Sequence, residues 1–166
     1  YRGPDNQQIK LEKDNFFFGH ARLSIIDLEP QANQPMLSHN GRFIITFNGE
    51  IYNYKLIKQE IETEKNKLGI KIEWKTKSDT EVLIEAIETW GLEKTLYKVK
   101  GMFAFALYDK RNSNLFLVRD RFGEKPLYFG WLDDSFFFSS DLNPIKQFKP
   151  LINKKALGLY FRFMYI

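Results

Sequence analysis

The chain contains no cysteine. Disulfides, thiolate metal sites and thiol catalysis by these residues alone are therefore excluded. Histidine is scarce: only His20 and His39 occur, with no HExxH spacing, so no transition-metal site is expected. There is no Walker loop and no G-x-G-x-x-G, so no nucleotide site is expected within the chain. Apolar runs stay as short as Phe16-Phe17-Phe18, far below the roughly 20 residues of a membrane span. No charged-then-apolar leader opens the sequence, so a cytoplasmic protein away from membranes is the expectation. Strong charge asymmetry is missing too. Lysine and glutamate mix in stretches such as KQEIETEKNK (58–67), the pattern of a solvated helix face. The net charge of +4 permits an acidic partner, but no basic cluster or aromatic-basic motif points to nucleic acid.

What is present is a well-filled core. The 166 residues are 43% apolar and 16% aromatic, enough for one packed domain. A β-rich stretch, NFFFGHARLSIID (15–27), is expected to break at Gly19. A Pro-, Asn- and Gln-rich loop follows over 28–40, then a strand over 42–47. From Tyr54 the apolar spacing turns helical, and Gly69 sits where that helix would end. Residues 70–76 alternate as a strand would. Ser78-Asp79-Thr80-Glu81 matches a capping box before a helix closed by Gly91. GMFAFALYD, NLFLVRD, KPLYFGW and SFFFSSD read as further strands, the first two joined by a turn at 110–113. Asn153 is placed to cap a last helix. Mostly antiparallel strands with a helical pair between them predict an α+β fold.

FNGEIYNY (47–54) poses a problem. Asn-Gly after a strand is a strong hairpin signal, yet a helix pattern follows it. The spacing predicts a tight strand-to-helix connection, with an amide side chain and a glycine N–H exposed. Such donors suit an oxyanion hole. Arg22 offers a planar fork for a carboxylate, and Glu50 or Asp79 could take an ammonium group. Each has a plainer alternative: a turn, a surface charge, or an acid at a helix N-terminus. His20 could act as a general base or as a packed structural residue.

Taken together, RGPD (2–5), GHARLSIIDL (19–28), NQP (33–35), FNGEIYNY, SDTEV (78–82), GMFAFALYD (101–109) and RDRFGEKPLYF (119–129) cover almost the whole chain. The set resembles the N-terminal glutaminase domain of glutamine-dependent asparagine synthetases, the class II glutamine amidotransferases. The resemblance implies an N-terminal nucleophile hydrolase fold, with antiparallel sheets sandwiched between helices. It implies an N-terminal cysteine that attacks the glutamine side-chain amide, with its own α-amine as base. Arg22 should then hold the glutamine α-carboxylate, and Leu23, Ser24, Ile25 and Ile26 should line the pocket. Asn48 and Gly49 should form the oxyanion hole, and Glu50 and Asp79 should bind the α-amino group.

The chain opens at Tyr1, which cannot replace that cysteine. The expectation is an amidotransferase domain over 1–150 lacking its N-terminal segment, then a connection over 151–166 to an absent synthetase domain. That absent part is expected to bind ATP and Mg and to amidate aspartate; no cofactor is expected in this domain. Glutamine is the expected ligand, the longer protein is expected to be a homodimer, and the fragment alone is expected to be inactive. Two competitors stand beside this: a non-catalytic glutamine-binding or interaction module, and an amidotransferase acting on another acid. A Met-Cys-Gly opening upstream would separate the enzyme from the module.

Overall fold

The structure is a computed structural model in which residues 3–12, 16–23, 26–146 and 153–163 are described. Aromatic and β-branched residues fall where strands form, and the helices follow the apolar 3.6 period. In chain order the elements are β1 Asn6–Glu12, β2 Phe16–Arg22, a 3₁₀ turn Pro30–Ala32, β3 Met36–Leu37, β4 Phe43–Ile51, α1 Tyr54–Lys67, α2 Asp79–Trp90, α3 Leu92–Lys98, β5 Gly101–Asp109, β6 Asn114–Arg119, β7 Tyr128–Leu132, β8 Ser135–Ser139, α4 Asn143–Lys146 and α5 Lys154–Phe163. All strand pairing is antiparallel among the described residues, so the chain is α+β as expected. The chain divides into two units, Tyr1–Pro126 and Leu127–Ile166.

The first unit is built on the sheet β3-β4-β5-β6. One face of β4 and β5 presents Phe43, Ile45, Phe47, Phe103, Phe105 and Leu107 to Leu83, Ile84 and Ile87 of α2. Ile57 and Ile61 of α1 pack in turn on Val82 and Ala86 of α2. Burying one such side chain stabilises the fold by about 1.5–3 kcal/mol. The other face carries Ile44, Thr46, Ala104, Ala106 and Tyr108. The β1–β2 hairpin lies on that side: Phe18 is fully buried and the Phe16 ring stands 4.7 Å from that of Tyr108. The first unit is thus helices, sheet and hairpin in three layers.

The second unit holds the β7–β8 hairpin, in register from Tyr128↔Ser139 to Leu132↔Ser135, with α4 and α5. Asn153 caps α5 as expected: its Oδ1 accepts the N–H groups of Lys155 (3.0 Å) and Ala156 (3.2 Å).

Several local expectations are corrected. β2 runs through Gly19 without a break, because Gly19 pairs with Ile9 of a strand, β1, that the sequence did not signal. Asn48-Gly49 is neither a hairpin turn nor a connection; β4 continues through it to Ile51, held in register by β5 down to Ile51↔Gly101. Residues 70–76 are not a strand: they have no ladder partner, and Ile72 and Trp74 alternate only because they pack on the α1–α2 pair. The capping box is half formed. Ser78 Oγ accepts the Glu81 N–H (3.2 Å), but the Glu81 carboxylate does not return to Ser78. It is taken by the N–H groups of Lys75 and Thr76 and by His39.

Candidate active site

The end of β4 carries three of the expected residues in a row, Asn48, Gly49 and Glu50. In an antiparallel ladder, alternate N–H groups point to opposite edges of a strand. Phe47 and Ile51 aim theirs away from β5: Phe47 N–H donates to Gln34 Oε1 (2.6 Å) and Ile51 N–H to Asp79 Oδ2 (2.9 Å). Gly49 lies between them with the same parity, so its N–H points the same way. β3 pairs only with Ile44 and Ile45 and leaves this edge uncovered. Among the described residues the Gly49 N–H meets no acceptor, and the half-buried Asn48 amide forms no hydrogen bond. Two neighbouring donors are therefore free at one strand edge.

Glycine is required here by close approach. A Cβ on Gly49 would stand 2.2 Å from the Met102 carbonyl oxygen, and one on Gly101 would stand 2.1 Å from that of Glu50. The two glycines let the ends of β4 and β5 close together.

Asp79 opens α2 and is 5% exposed. Burial pushes its carboxyl up from the ordinary value, against hydrogen bonds from the Ile51, Thr80 and Asp79 N–H groups, and the nearby Glu50 charge pushes it further. Neither Asp79 nor Glu50 forms an ion pair with a lysine or arginine among the described residues. This corner is short of a cation.

Arg22 closes β2 and is 8% exposed. Its Nη1 donates to the Glu29 carbonyl (3.0 Å) and to Asn33 Oδ1 (2.7 Å), and its Nη2 to the Asp27 carbonyl. Three of its five N–H donors are thus spent on neutral acceptors of the 27–33 loop. The Nε–H and the second Nη2–H keep no partner, and no carboxylate pairs with it, among the described residues. The Asp27 carboxylate acts on Arg22 only through space, its oxygens being taken by the Glu29 and Lys77 N–H groups, so the buried guanidinium keeps unpaired donors.

The same loop ties these groups to one another. The Asp27 carboxylate accepts the Glu29 N–H (2.9 Å) and the Lys77 N–H (2.6 Å), two residues before Asp79. Gln34 accepts from Phe47 N–H beside Asn48, and its Nε2 donates to Thr80 Oγ1 (3.3 Å) beside Asp79. Of the expected pocket lining, Leu23 is 62% exposed and Ile26 half-buried, while Ser24 and Ile25 lie outside the described residues.

The family model of the glutamine amidotransferase domain matches residues 1–166. The chain belongs to that family. It is 33% identical over its full length to the putative asparagine synthetase [glutamine-hydrolyzing] 2 of Methanocaldococcus jannaschii, of which it covers 35%. It is 36% identical, again over its full length, to asparagine synthetase [glutamine-hydrolyzing] 1 of Bacillus subtilis, of which it covers 25%. Over 89% of its length it is 36% identical to the asparagine synthetase [glutamine-hydrolyzing] of Zea mays, covering 23% of that protein. The chain thus spans about a third or less of the length of these curated relatives.

Other motifs of this amidotransferase domain are structural. In RDRFGEK the Asp120 carboxylate gathers the N–H groups of Phe103, Phe122, Glu124 and Lys125, while Arg119 donates to the Lys125 (2.7 Å) and Gly123 (2.5 Å) carbonyls. The motif knots the turn after β6. Gly3 of RGPD packs on the end of β2, where a Cβ would stand 2.1 Å from the Ala21 carbonyl carbon. His20 faces the sheet with its Nδ1 buried and unpartnered. Burial lowers its pKa, a backbone hydrogen bond to Phe47 opposes that, and Arg22 adds to it. Sequence reasoning missed Asp27, Asn33 and Gln34 as site-building residues. NQP was visible as a motif, but no periodicity or propensity says which backbone groups its amides will reach. No helix of the described residues is long and apolar enough to cross a membrane.

Proposed function

We propose that this chain is the glutaminase part of a longer, glutamine-dependent asparagine synthetase. The single observation that carries the reading is the charge pattern at the end of β4. Among the described residues Arg22 is buried with no ion pair, the Asp27 carboxylate acting on it only through space, and the Asp79–Glu50 pair has no lysine or arginine partner; these groups complement the carboxylate and ammonium of one α-amino acid, with the Asn48 and Gly49 donors beside them. The family and the names of the relatives support glutamine as that amino acid.

In this reading the remaining Nε–H and Nη2–H of Arg22 take the α-carboxylate. Asp79, ionised by the approaching ammonium group, and Glu50 take the α-amine. Leu23 and Ile26 line the site, and Ser24 and Ile25, expected beside them, lie outside the described residues. A cysteine thiolate outside these 166 residues adds to the carboxamide carbon, and the oxygen becomes an oxyanion held by Asn48 and Gly49. The cysteine's own α-amine, which took the thiol proton, returns it to the departing nitrogen, so collapse of that intermediate expels ammonia and leaves a thioester, which water cleaves to glutamate and free thiol. Ammonia then serves the amidation of aspartate, with ATP and Mg bound elsewhere in the polypeptide. No residue of this chain is assigned to them, and the described residues hold no cluster of three or more acidic or histidine groups set for a metal.

The test is the full-length protein with glutamine. It should release glutamate, and alkylation of the N-terminal thiol should abolish that release while asparagine synthesis from free ammonia survives. Absence of glutamate release, with glutamine still bound, would favour a non-catalytic glutamine-binding module. Amidation of a different acid would move the acceptor assignment only.

A further inference from the structure

We infer that Asn33 and Gln34 are the positioning pair that sets the three parts of the candidate site against one another. The inference rests on the glutaminase reading and adds two residues that touch no substrate. Asn33 Oδ1 accepts from Arg22 Nη1 (2.7 Å), on the opposite side of the guanidinium from the Nε–H left free for a carboxylate. The next residue bridges the other two parts. Gln34 is 7% exposed, and both ends of its amide are used. Oε1 fixes the Phe47 N–H, immediately before the Asn48 and Gly49 donors, and Nε2 fixes Thr80 Oγ1, immediately after Asp79.

Two adjacent side chains therefore hold β2, β4 and α2, elements far apart in sequence. On the edge away from β5, β4 has no strand partner at Phe47 among the described residues, so Gln34 supplies there the contact that β3 supplies at Ile44 and Ile45. A carboxylate subsite and an ammonium subsite must be spaced to match one amino acid, and misplacement by about 1 Å is enough to weaken both recognition and rate. Because each tie runs to one subsite, the two residues have separable effects. Asn33 governs recognition of the α-carboxylate. Gln34 governs recognition of the α-ammonium through Thr80, and the oxyanion donors through Phe47.

Substrate analogues separate these effects from general destabilisation. Glutaramate is glutamine without its α-amine, and γ-aminobutyramide is glutamine without its α-carboxylate. In the full-length protein Asn33→Ala should lower kcat/KM about tenfold for glutamine and glutaramate, the size of one lost charge-assisted contact, and leave γ-aminobutyramide nearly unchanged. Gln34→Ala should lower kcat for all three and, in addition, erase the advantage of glutamine over glutaramate. Thr80→Val removes only the hydroxyl and should erase that advantage without the general loss of kcat; it decides the matter where Gln34→Ala does not fold. Equal losses on all three substrates in Asn33→Ala and Thr80→Val would overturn the positioning roles. A wild-type protein that hydrolyses glutamine no better than either analogue would instead overturn the amino-acid site itself, and the inference with it.

Discussion

The two ends of β4 differ in how their polar groups are satisfied. At the start, Arg42 grips Asp109 of β5 through two bonds, Nε to Oδ1 (3.0 Å) and Nη2 to Oδ2 (2.7 Å). Asp109 also accepts from the Arg111 N–H (3.0 Å) and Asn112 Nδ2 (2.8 Å). Every strong partner there comes from the protein itself. The Arg42 bonds lower the Asp109 pKa against the effect of burial. At the far end, among the described residues, Asn48 and Gly49 keep free donors, Asp79 is pushed up by burial, and Arg22 hydrogen-bonds only neutral acceptors. A fold that satisfies itself at one end of a strand and not at the other has reserved the second end for something else. The same contrast separates the two arginines: both are anchored, but among the described residues only Arg42 forms an ion pair with a carboxylate.

The largest test of that contrast is Asn48→Ala in the full-length protein. An oxyanion donor bonds best to a charge that exists only in the tetrahedral intermediate. Its loss should lower the glutaminase kcat by about 10²–10³ and move KM much less. Ammonia-dependent synthesis should persist. A folded Asn48→Ala protein with a near-normal glutaminase kcat would reduce Asn48 to a plain strand residue.

The two arginines sharpen the comparison next. Arg22→Ala should raise the glutamine KM about ten- to a hundredfold, as expected for a charged contact made in ground and transition states alike. Arg42→Ala should leave KM and kcat alone and cost about 1–2 kcal/mol in urea unfolding, a modest figure because Arg42 is partly solvent-exposed. If Arg42→Ala changed KM, or Arg22→Ala changed only stability, the division into a closed and an open end would fail.

Much of this was legible in the sequence because it depends on local pattern. α1, α2 and α5 followed their apolar period while α3 and α4 were not foreseen, Asn153 and Ser78 capped theirs, and the run of motifs marked the family over the whole chain. What was illegible depends on partners far along the chain. Asn-Gly is read as a turn when only its neighbours are considered; β5 keeps it extended, and Gly101 opposite makes room. The alternation at 70–76 looked like a strand because packing on two helices can impose period two without any ladder. Glu81 matched a capping box, but the backbone of Lys75 and Thr76 and the ring of His39, 42 residues away, took its oxygens. Asn33 and Gln34 stood in a loop whose bonds reach β2, β4 and α2, and no local rule names such partners.

The smallest predicted effect concerns pH, where the two ends of β4 should respond with opposite sign. The Asp109 carboxyl is lowered in the native state, so its stabilising contribution is complete above the unfolded carboxylate value and fades as pH falls through the native one. Asp79 is raised, so the native state takes up its proton first. Its unfavourable burial as an anion is present above the native value and is relieved as pH falls towards the unfolded one. For function the order reverses, because an ammonium group binds the carboxylate and not the acid. The glutamine KM should therefore rise as pH falls through the native Asp79 value, while kcat holds. Asp79→Asn should show a raised KM without that pH step. Glu50→Gln removes a charge that helps hold Asp79 up, so it should shift the step to lower pH as well as raising KM modestly. Initial rates measured against glutamine concentration from pH 8 down to about 4.5, the carboxylate side of neutrality, give all three curves. A step that survives in Asp79→Asn belongs to another group, and the cation-seeking corner would then lose its assigned acid.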